Sequence, residues 1–242
     1  MTEEIMTKTD IAKYLTIRTV GNFLLLFSLY GVGATFGPAI YYEAQYQVIK
    51  IRGIHYTVVQ PEHVQIAEGS EKTAPQQPTV SLGQVLAGST QQEIIPVDTQ
   101  FSIVIPKLGA TAKVFPNIDS TSEEEFTPIL SEGVAHAKGT VFPGLKGTTY
   151  LFAHSTDNFW NVGRYNAIFY LLKDLKVGDE VIVFFENRRY EYIVSESKIG
   201  DADDTHYITN ARDTQEQLVM QTCWPPGTTW KRVYVTAIPK KS

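Results

Sequence analysis

The stretch LVMQTCWPPGTTWKRVYV, residues 218–235, holds the one cysteine of the chain, Cys223, and reads as two strands around a turn. Leu218 and Met220 alternate with Val219, Gln221 and Cys223, the period-2 signature of a strand. Pro225, Pro226 and Gly227 break the pattern. It resumes from Lys231, with Val233, Val235 and Ala237 on one side and Arg232, Tyr234 and Thr236 on the other. With Leu218, Met220, Val233 and Val235 turned to a core, Cys223 and Arg232 share the opposite face. A hairpin with its loop over residues 224–231 sets them opposite each other, at a Cβ separation of roughly 5 Å. A guanidinium then stands beside the thiol. A lone cysteine is more often a small buried hydrophobe, but here the alternation takes it off the core side.

The N-terminus bears on why such a thiol exists. Acidic residues outnumber basic ones, 26 to 21, for a net charge of -5. No long basic run is present, which argues against a nucleic-acid partner. With 43% hydrophobic and 19% charged residues the composition is that of a globular protein. The exception is VGNFLLLFSLYGVGATFGPAIYY, residues 20–42, inside an uncharged run between Arg18 and Glu43. At about 1.5 Å per residue it can cross the roughly 30 Å hydrocarbon layer. A signal peptide has an apolar core of about 7 to 15 residues followed by a small-residue cleavage site; this run is longer and no such site follows it. An uncleaved anchor is expected. Lys8, Lys13 and Arg18 precede it and only Lys50 and Arg52 follow closely, which puts the N-terminus in the cytoplasm and the rest outside. A free thiol is unusual there, so Cys223 needs a chemical reason.

The chain therefore divides into a cytoplasmic tail (1–19), a transmembrane anchor (20–42), a membrane-proximal segment and flexible stalk (43–100) and a folded domain (101–242). Residues 42–59 fit either a strand or an extension of the helix, whereas residues 60–100 are rich in Gln, Pro, Ser and Thr and read as stalk, leaving His55 and His63 solvated. The domain is dense in short β-like runs, FSIVIPKLG, AKVFP, GTTYLFAHS, DEVIVFFEN, RRYEYIVSESKI, EQLVMQTC and WKRVYVTAI, with turns at Pro, Gly and Asn. Such a pattern implies an all-β-dominated domain, a closed or nearly closed barrel. Two short helices interrupt it. Ser122 followed by Glu125 has capping-box spacing ahead of FTPILSEG, and YNAIFYLLKDLKVGDE carries an amphipathic helix ending near Gly178.

A thiolate nucleophile needs a cation or histidine beside it and a proton donor for the leaving group. His154 closes the run TYLFAHS, on the face opposite Leu151 and Ala153, which matches the placement inferred for Cys223. His136 and His206 lie in polar, loop-like sequence and are weaker candidates. At this point GVAHAKGTVFPGLKGTTYLFAHS, LLKDLKVGDEVIVF and LVMQTCWPPGTTWKRVYV, in this order and spacing, resemble the sortases, membrane-anchored bacterial cysteine transpeptidases. The resemblance runs from about residue 101 to 238. Where the family usually has Thr-Leu ahead of x-Thr-Cys, this chain has Val219 and Met220, which keep a strand with an apolar side chain.

The resemblance implies an eight-stranded barrel whose catalytic His, Cys and Arg fall on His154, Cys223 and Arg232. It also implies a reaction in which the cysteine attacks a Thr carbonyl in a C-terminal sorting signal of LPXTG type, forming a thioacyl enzyme that an amine resolves. Its partners would be a surface protein carrying that signal and an amine acceptor, either a cell-wall precursor or a pilin lysine. Thr222 is assigned a supporting, substrate-side role. No cofactor is expected. Calcium stimulates some members through acidic residues in two loops; here residues 134–150 contain no Asp or Glu, and only Asp201, Asp203 and Asp204 stand in the second loop, so no metal site is expected. Two other readings fit the same residues: a membrane-tethered peptide- or glycan-binding β-domain with an inert cysteine, and a cysteine peptidase that only hydrolyses.

Overall fold

The computed structural model describes residues 8–59, 91–155, 169–212, 214–226 and 228–241. Helix α1 (Lys8–Arg52) is continuous, with Lys50 and Arg52 in its last turn, where cations meet the negative end of the helix dipole. Its part Lys8–Gly33 is long and apolar enough to cross a membrane and is not buried against the rest of the chain. The helix runs well past residue 42, so the membrane-proximal segment begins as helix. There it docks: Tyr46 and Ile49 are buried, and Lys173 Nζ lies 3.4 Å from Glu43 Oε2.

Strands β1 (His55–Val58) and β2 (Gln91–Ile94) form a parallel two-stranded ribbon. This corrects the expectation of a flexible stalk over the end of that segment: Ile94 is 1% exposed and packs with Ile54, Tyr56 and Val58 over Val104, Ile182 and Phe184 of the barrel. His55 is exposed, on the first residue of β1. Residues 60–90, with His63 and most of the expected stalk, lie outside the described residues.

The barrel itself comprises β3 (Phe101–Ile105), β4 (Ala110–Ile118), β5 (Val134–Ala137), β6 (Thr148–Phe152), β7 (Glu180–Phe185), β8 (Arg188–Asp201), β9 (Gln217–Trp224) and β10 (Lys231–Pro239). It closes in the order β10-β8-β7-β3-β4-β5-β6-β9. The β4–β5 and β6–β9 pairs are parallel and the others antiparallel. Alternation sends Leu218, Met220, Val233 and Val235 to the interior, as their spacing predicts. The opposite face of β6, β9 and β10 is covered by α2 (Glu123–Leu130) and the single turn α3 (His206–Thr209), whose Phe126, Ile129, Tyr207 and Ile208 pack on Phe152, Val219 and Tyr234.

Local chemistry explains the helices. The Ser122 side chain accepts from Glu125 N and so caps α2, while the Glu125 carboxylate reaches Asp119 N rather than closing back on Ser122. The amphipathic helix expected to end near Gly178 is, among the described residues, a 3₁₀ turn at Tyr170–Asp174; residues 156–168 lie outside them.

One strand of the barrel, β5, was not anticipated. VAHA is too short and too small-sided to show a period, yet all four residues are buried. His136, read as loop-like, has no exposed surface. It fills the irregularity where β4 and β5 shift register between Phe115 and Ile118. Its Nδ1 accepts from Asn117 N at 3.3 Å, its Nε2 lies 3.1 Å from the Val141 carbonyl, and its ring stacks on Phe142. Burial pushes its pKa down, partly opposed by the bond to Val141, so it stays neutral as a structural group.

The ribbon over Val104, Ile182 and Phe184 should contribute measurably to stability. Ile94→Ala should cost about 2 to 5 kcal/mol, read as a fall in the denaturation midpoint of a domain beginning near residue 40. A change indistinguishable from zero would mean that the ribbon does not seal the barrel.

Candidate active site

Strand β9 pairs with β10 so that Cys223 lies directly opposite Arg232. The preceding register pairs are Thr222 with Val233 and Gln221 with Tyr234; beyond Cys223, Trp224 pairs with Lys231, so the two ends of the loop expected over residues 224–231 belong to the strands. On its other side β9 runs parallel to β6, with Gln221 beside Phe152. Parallel neighbours end at the same edge, so the chain leaving β6 reaches the barrel rim where Cys223 stands.

Two bonds lace that exit in place. Ala153 N donates to the Gln221 carbonyl at 3.2 Å, and Thr222 Oγ1 donates to the Ala153 carbonyl at 3.0 Å. Thr222 is buried, so its hydroxyl has this role rather than an open one. His154 follows Ala153 and is half-buried, one residue past the laced position. Ala153 itself points into the barrel core, as Leu151 does, which leaves the outward side to Phe152 and the residue beyond Ala153. At the start of β6, Gly147 has φ +126 and a Cβ there would sit 2.7 Å from the Ala211 carbonyl, so only glycine lets the loop before β9 close onto this strand.

Cys223 is half-buried and free. Burial pushes its thiol pKa up, and the positive charge of Arg232 opposes this in part. Arg232 Nη1 donates to the Thr229 and Lys231 carbonyls at 3.0 and 3.1 Å. Those bonds hold the guanidinium at the hairpin while leaving other N–H groups of its fork to act elsewhere.

Strand register arranges the outward face in rows: Cys223 with Arg232, then Phe152, Gln221 and Tyr234, then Tyr150, Val219 and Thr236. The second row was not singled out from sequence, although Gln221 shares the alternation of Cys223. Phe126 of α2 meets Phe152 edge-on at 6.1 Å and Tyr207 of α3 lies 5.2 Å from Tyr234, so the two helices flank the row.

The competing histidines are elsewhere. His136 is enclosed in the core, and His206 is exposed at the start of α3, paired through Nδ1 with Asp204. That hydrogen bond is the main cause that holds the Asp204 carboxyl below its ordinary range. Asp201 pairs with Lys231 at 3.4 Å. Among the described residues no cluster of three His, Cys, Asp or Glu side chains could hold a metal.

With this geometry in view, the family model for the Sortase domain matches residues 103–240, more than half of the chain and all but the first residues of the barrel. The chain belongs to the sortase family. Sortase D of Bacillus subtilis (strain 168) is 28% identical over 121 residues, 50% of this chain and 52% of that protein, so this sortase spans about half the length of the curated relative it matches. Among solved structures it resembles sortase C-1 from Actinomyces oris (22% identity, 60% of this chain and 76% of that one, TM-score 0.49). It also resembles sortase C from Clostridium perfringens SM101 (18% identity, 58% and 69%, TM-score 0.44).

The electrostatics of this sortase have a direct readout in thiol alkylation. The rate of reaction with iodoacetamide should rise with pH through a midpoint above that of an ordinary thiol, because burial disfavours the thiolate. Arg232→Ala should move the midpoint higher still, since the lost cation favoured the thiolate. A midpoint unmoved by the substitution would show that Arg232 does not act on Cys223.

Proposed function

We propose that this sortase is a cysteine transpeptidase that cleaves a C-terminal LPXTG-like sorting signal and passes the acyl group to an amine, anchoring or polymerising surface proteins. The observation that supports this most is the register pair Cys223–Arg232 at a barrel rim to which Thr222 laces the exit of the strand leading to His154.

In this reading the Cys223 thiolate attacks the Thr carbonyl of the signal. The tetrahedral intermediate collapses to a thioester as the peptide nitrogen leaves, and His154 gives that nitrogen its proton. Arg232 donates to the developing oxyanion or to the substrate carbonyl. An amine, from a cell-wall precursor or a pilin lysine, then attacks the thioester and regenerates the thiol. Thr222 supports the reaction by fixing the backbone that carries His154. Residues 20–42 of α1 anchor the enzyme as a single span in the bacterial membrane, with the barrel outside the cell.

Mass spectrometry of a soluble domain incubated with LPXTG-like peptides tests this. An acyl adduct should form on Cys223 and be absent in Cys223→Ala. His154→Ala and Arg232→Ala should each lower turnover on the order of 10²-fold or more. Arg232→Lys should also be severely impaired, because a point charge does not replace a planar fork. Added amine should divert product from free acid to amide; product that stays wholly hydrolysed would make the protein a peptidase, and a thiol that never acylates would make it a binding domain.

Turnover should be the same in millimolar-scale calcium and in excess chelator, as residues 134–150 carry no Asp or Glu to join Asp201, Asp203 and Asp204, and calcium needs about 6 to 8 oxygen ligands. A several-fold stimulation lost on Asp203→Asn and Asp204→Asn would reverse this expectation.

A further inference from the structure

The row of the outward face next to Cys223 is aromatic at both ends and polar in the middle. Phe152, Gln221 and Tyr234 are cross-strand neighbours on β6, β9 and β10. Phe152 and Tyr234 are buried by the flanking helices, while Gln221 is half-exposed between them. A long amide is an unfavourable choice for a floor of this kind unless something uses its hydrogen-bonding groups.

One of those groups is already engaged. Tyr150 Oη donates to Gln221 Oε1 at 3.3 Å, from a ring that is 4% exposed. Burial pushes the Tyr150 phenol far above its ordinary pKa, so it remains a hydrogen-bond donor at any working pH. With Oε1 turned toward Tyr150, the carboxamide NH2 is the end left to face away from that contact. Among the described residues no hydrogen bond engages it. A fixed donor thus stands two residues before the nucleophile on the same strand face, a distance of about 6.8 Å along the strand. An extended peptide covers the same distance in two residues.

We infer that Gln221, oriented by Tyr150, is a specificity-determining residue that selects sorting signals bearing a hydrogen-bond acceptor side chain within two residues upstream of the residue Cys223 acylates. The inference rests on the transpeptidase reading above and deepens it. The substrate side chain meets a donor whose own partner is fixed, on a floor that is otherwise apolar. An apolar side chain at that place would strip water from the NH2 without replacing the bond, and a built hydrogen-bonding site discriminates against ligands that lack the matching group. Asn, Gln, Asp and Thr side chains supply the acceptor. Leu, Met and Val, of similar size, do not.

The test uses the enzyme with peptides that vary only in the two residues preceding the acylated one, in isosteric pairs of acceptor and apolar side chains: Asn against Leu, Gln against Met, Thr against Val. Wild-type enzyme should favour the acceptor member at one of the two positions by roughly tenfold in kcat/KM, the effect of one net hydrogen bond. Gln221→Met keeps the length and removes the donor, and should erase or reverse that preference. Gln221→Glu offers only acceptors when ionised and should shift it toward Lys or Arg at the same position. Tyr150→Phe should reduce the preference by freeing the amide to turn. A general loss of folding or catalysis would lower kcat/KM for both members of each pair alike, so the ratio within a pair reads selectivity alone.

Acylation of Cys223 in the wild type with equal rates for the two members of every pair, or a preference that Gln221→Met leaves intact, would overturn this inference while leaving the transpeptidase reading standing. Failure of the wild type to acylate Cys223 with any peptide would overturn both.

Discussion

The parallel ladder between β6 and β9 is the constraint on which the candidate site depends. Two strands separated by more than sixty residues of chain end at the same rim because they run the same way. One delivers Cys223 and the other delivers the backbone that leads to His154. The antiparallel hairpin then brings Arg232 back to the same rim from its opposite end, so three strand termini converge although their residues are far apart in sequence. An antiparallel β6–β9 pair would have sent the two exits to opposite ends of the barrel. The hydrogen bond from Thr222 to the Ala153 carbonyl secures the arrangement where the regular ladder stops.

Much of this was legible because the interior of the barrel enforces alternation. Leu218, Met220, Val233 and Val235 revealed the inward side of the last two strands, and the outward side followed for Cys223 and Arg232 by parity alone. Parity fails where both faces of a strand are covered. VAHA has barrel interior on one side and α2 on the other, so His136 looked like a polar loop residue while being a buried plug. It fails also where a strand finds its partner by packing rather than by pattern: QQEI is polar enough to read as linker, and only Ile94 closing over Val104, Ile182 and Phe184 makes it a strand. The helix expected up to Gly178 is a single 3₁₀ turn in its described part, since amphipathic spacing over so short a run does not distinguish the two.

The outward face shows how a sheet surface can be both enclosed and chemically open. Helices α2 and α3 press aromatic and aliphatic side chains onto Phe152, Val219 and Tyr234, while the row carrying Cys223 and Arg232 stands beyond them at the rim. The thiol is thus placed at a boundary between dry and wet surroundings. Burial raises the cost of its ionised form, and the neighbouring guanidinium returns part of that cost. The resulting balance is tuned by how far the rim is covered, and a peptide lying over it would change that cover.

Helix α1 gives the molecule a further property. It is unbroken from Lys8 to Arg52, and its last turns are fastened to the barrel by Tyr46, Ile49 and the Glu43–Lys173 pair. With the uncharged run between Arg18 and Glu43 embedded in a bilayer, only about 5 Å of helix separates Glu43 from the docked Tyr46. The barrel would then sit close against the lipid surface, held by the helix instead of trailing on a tether. The depth at which the anchor settles in the lipid would then set the height of the rim above it.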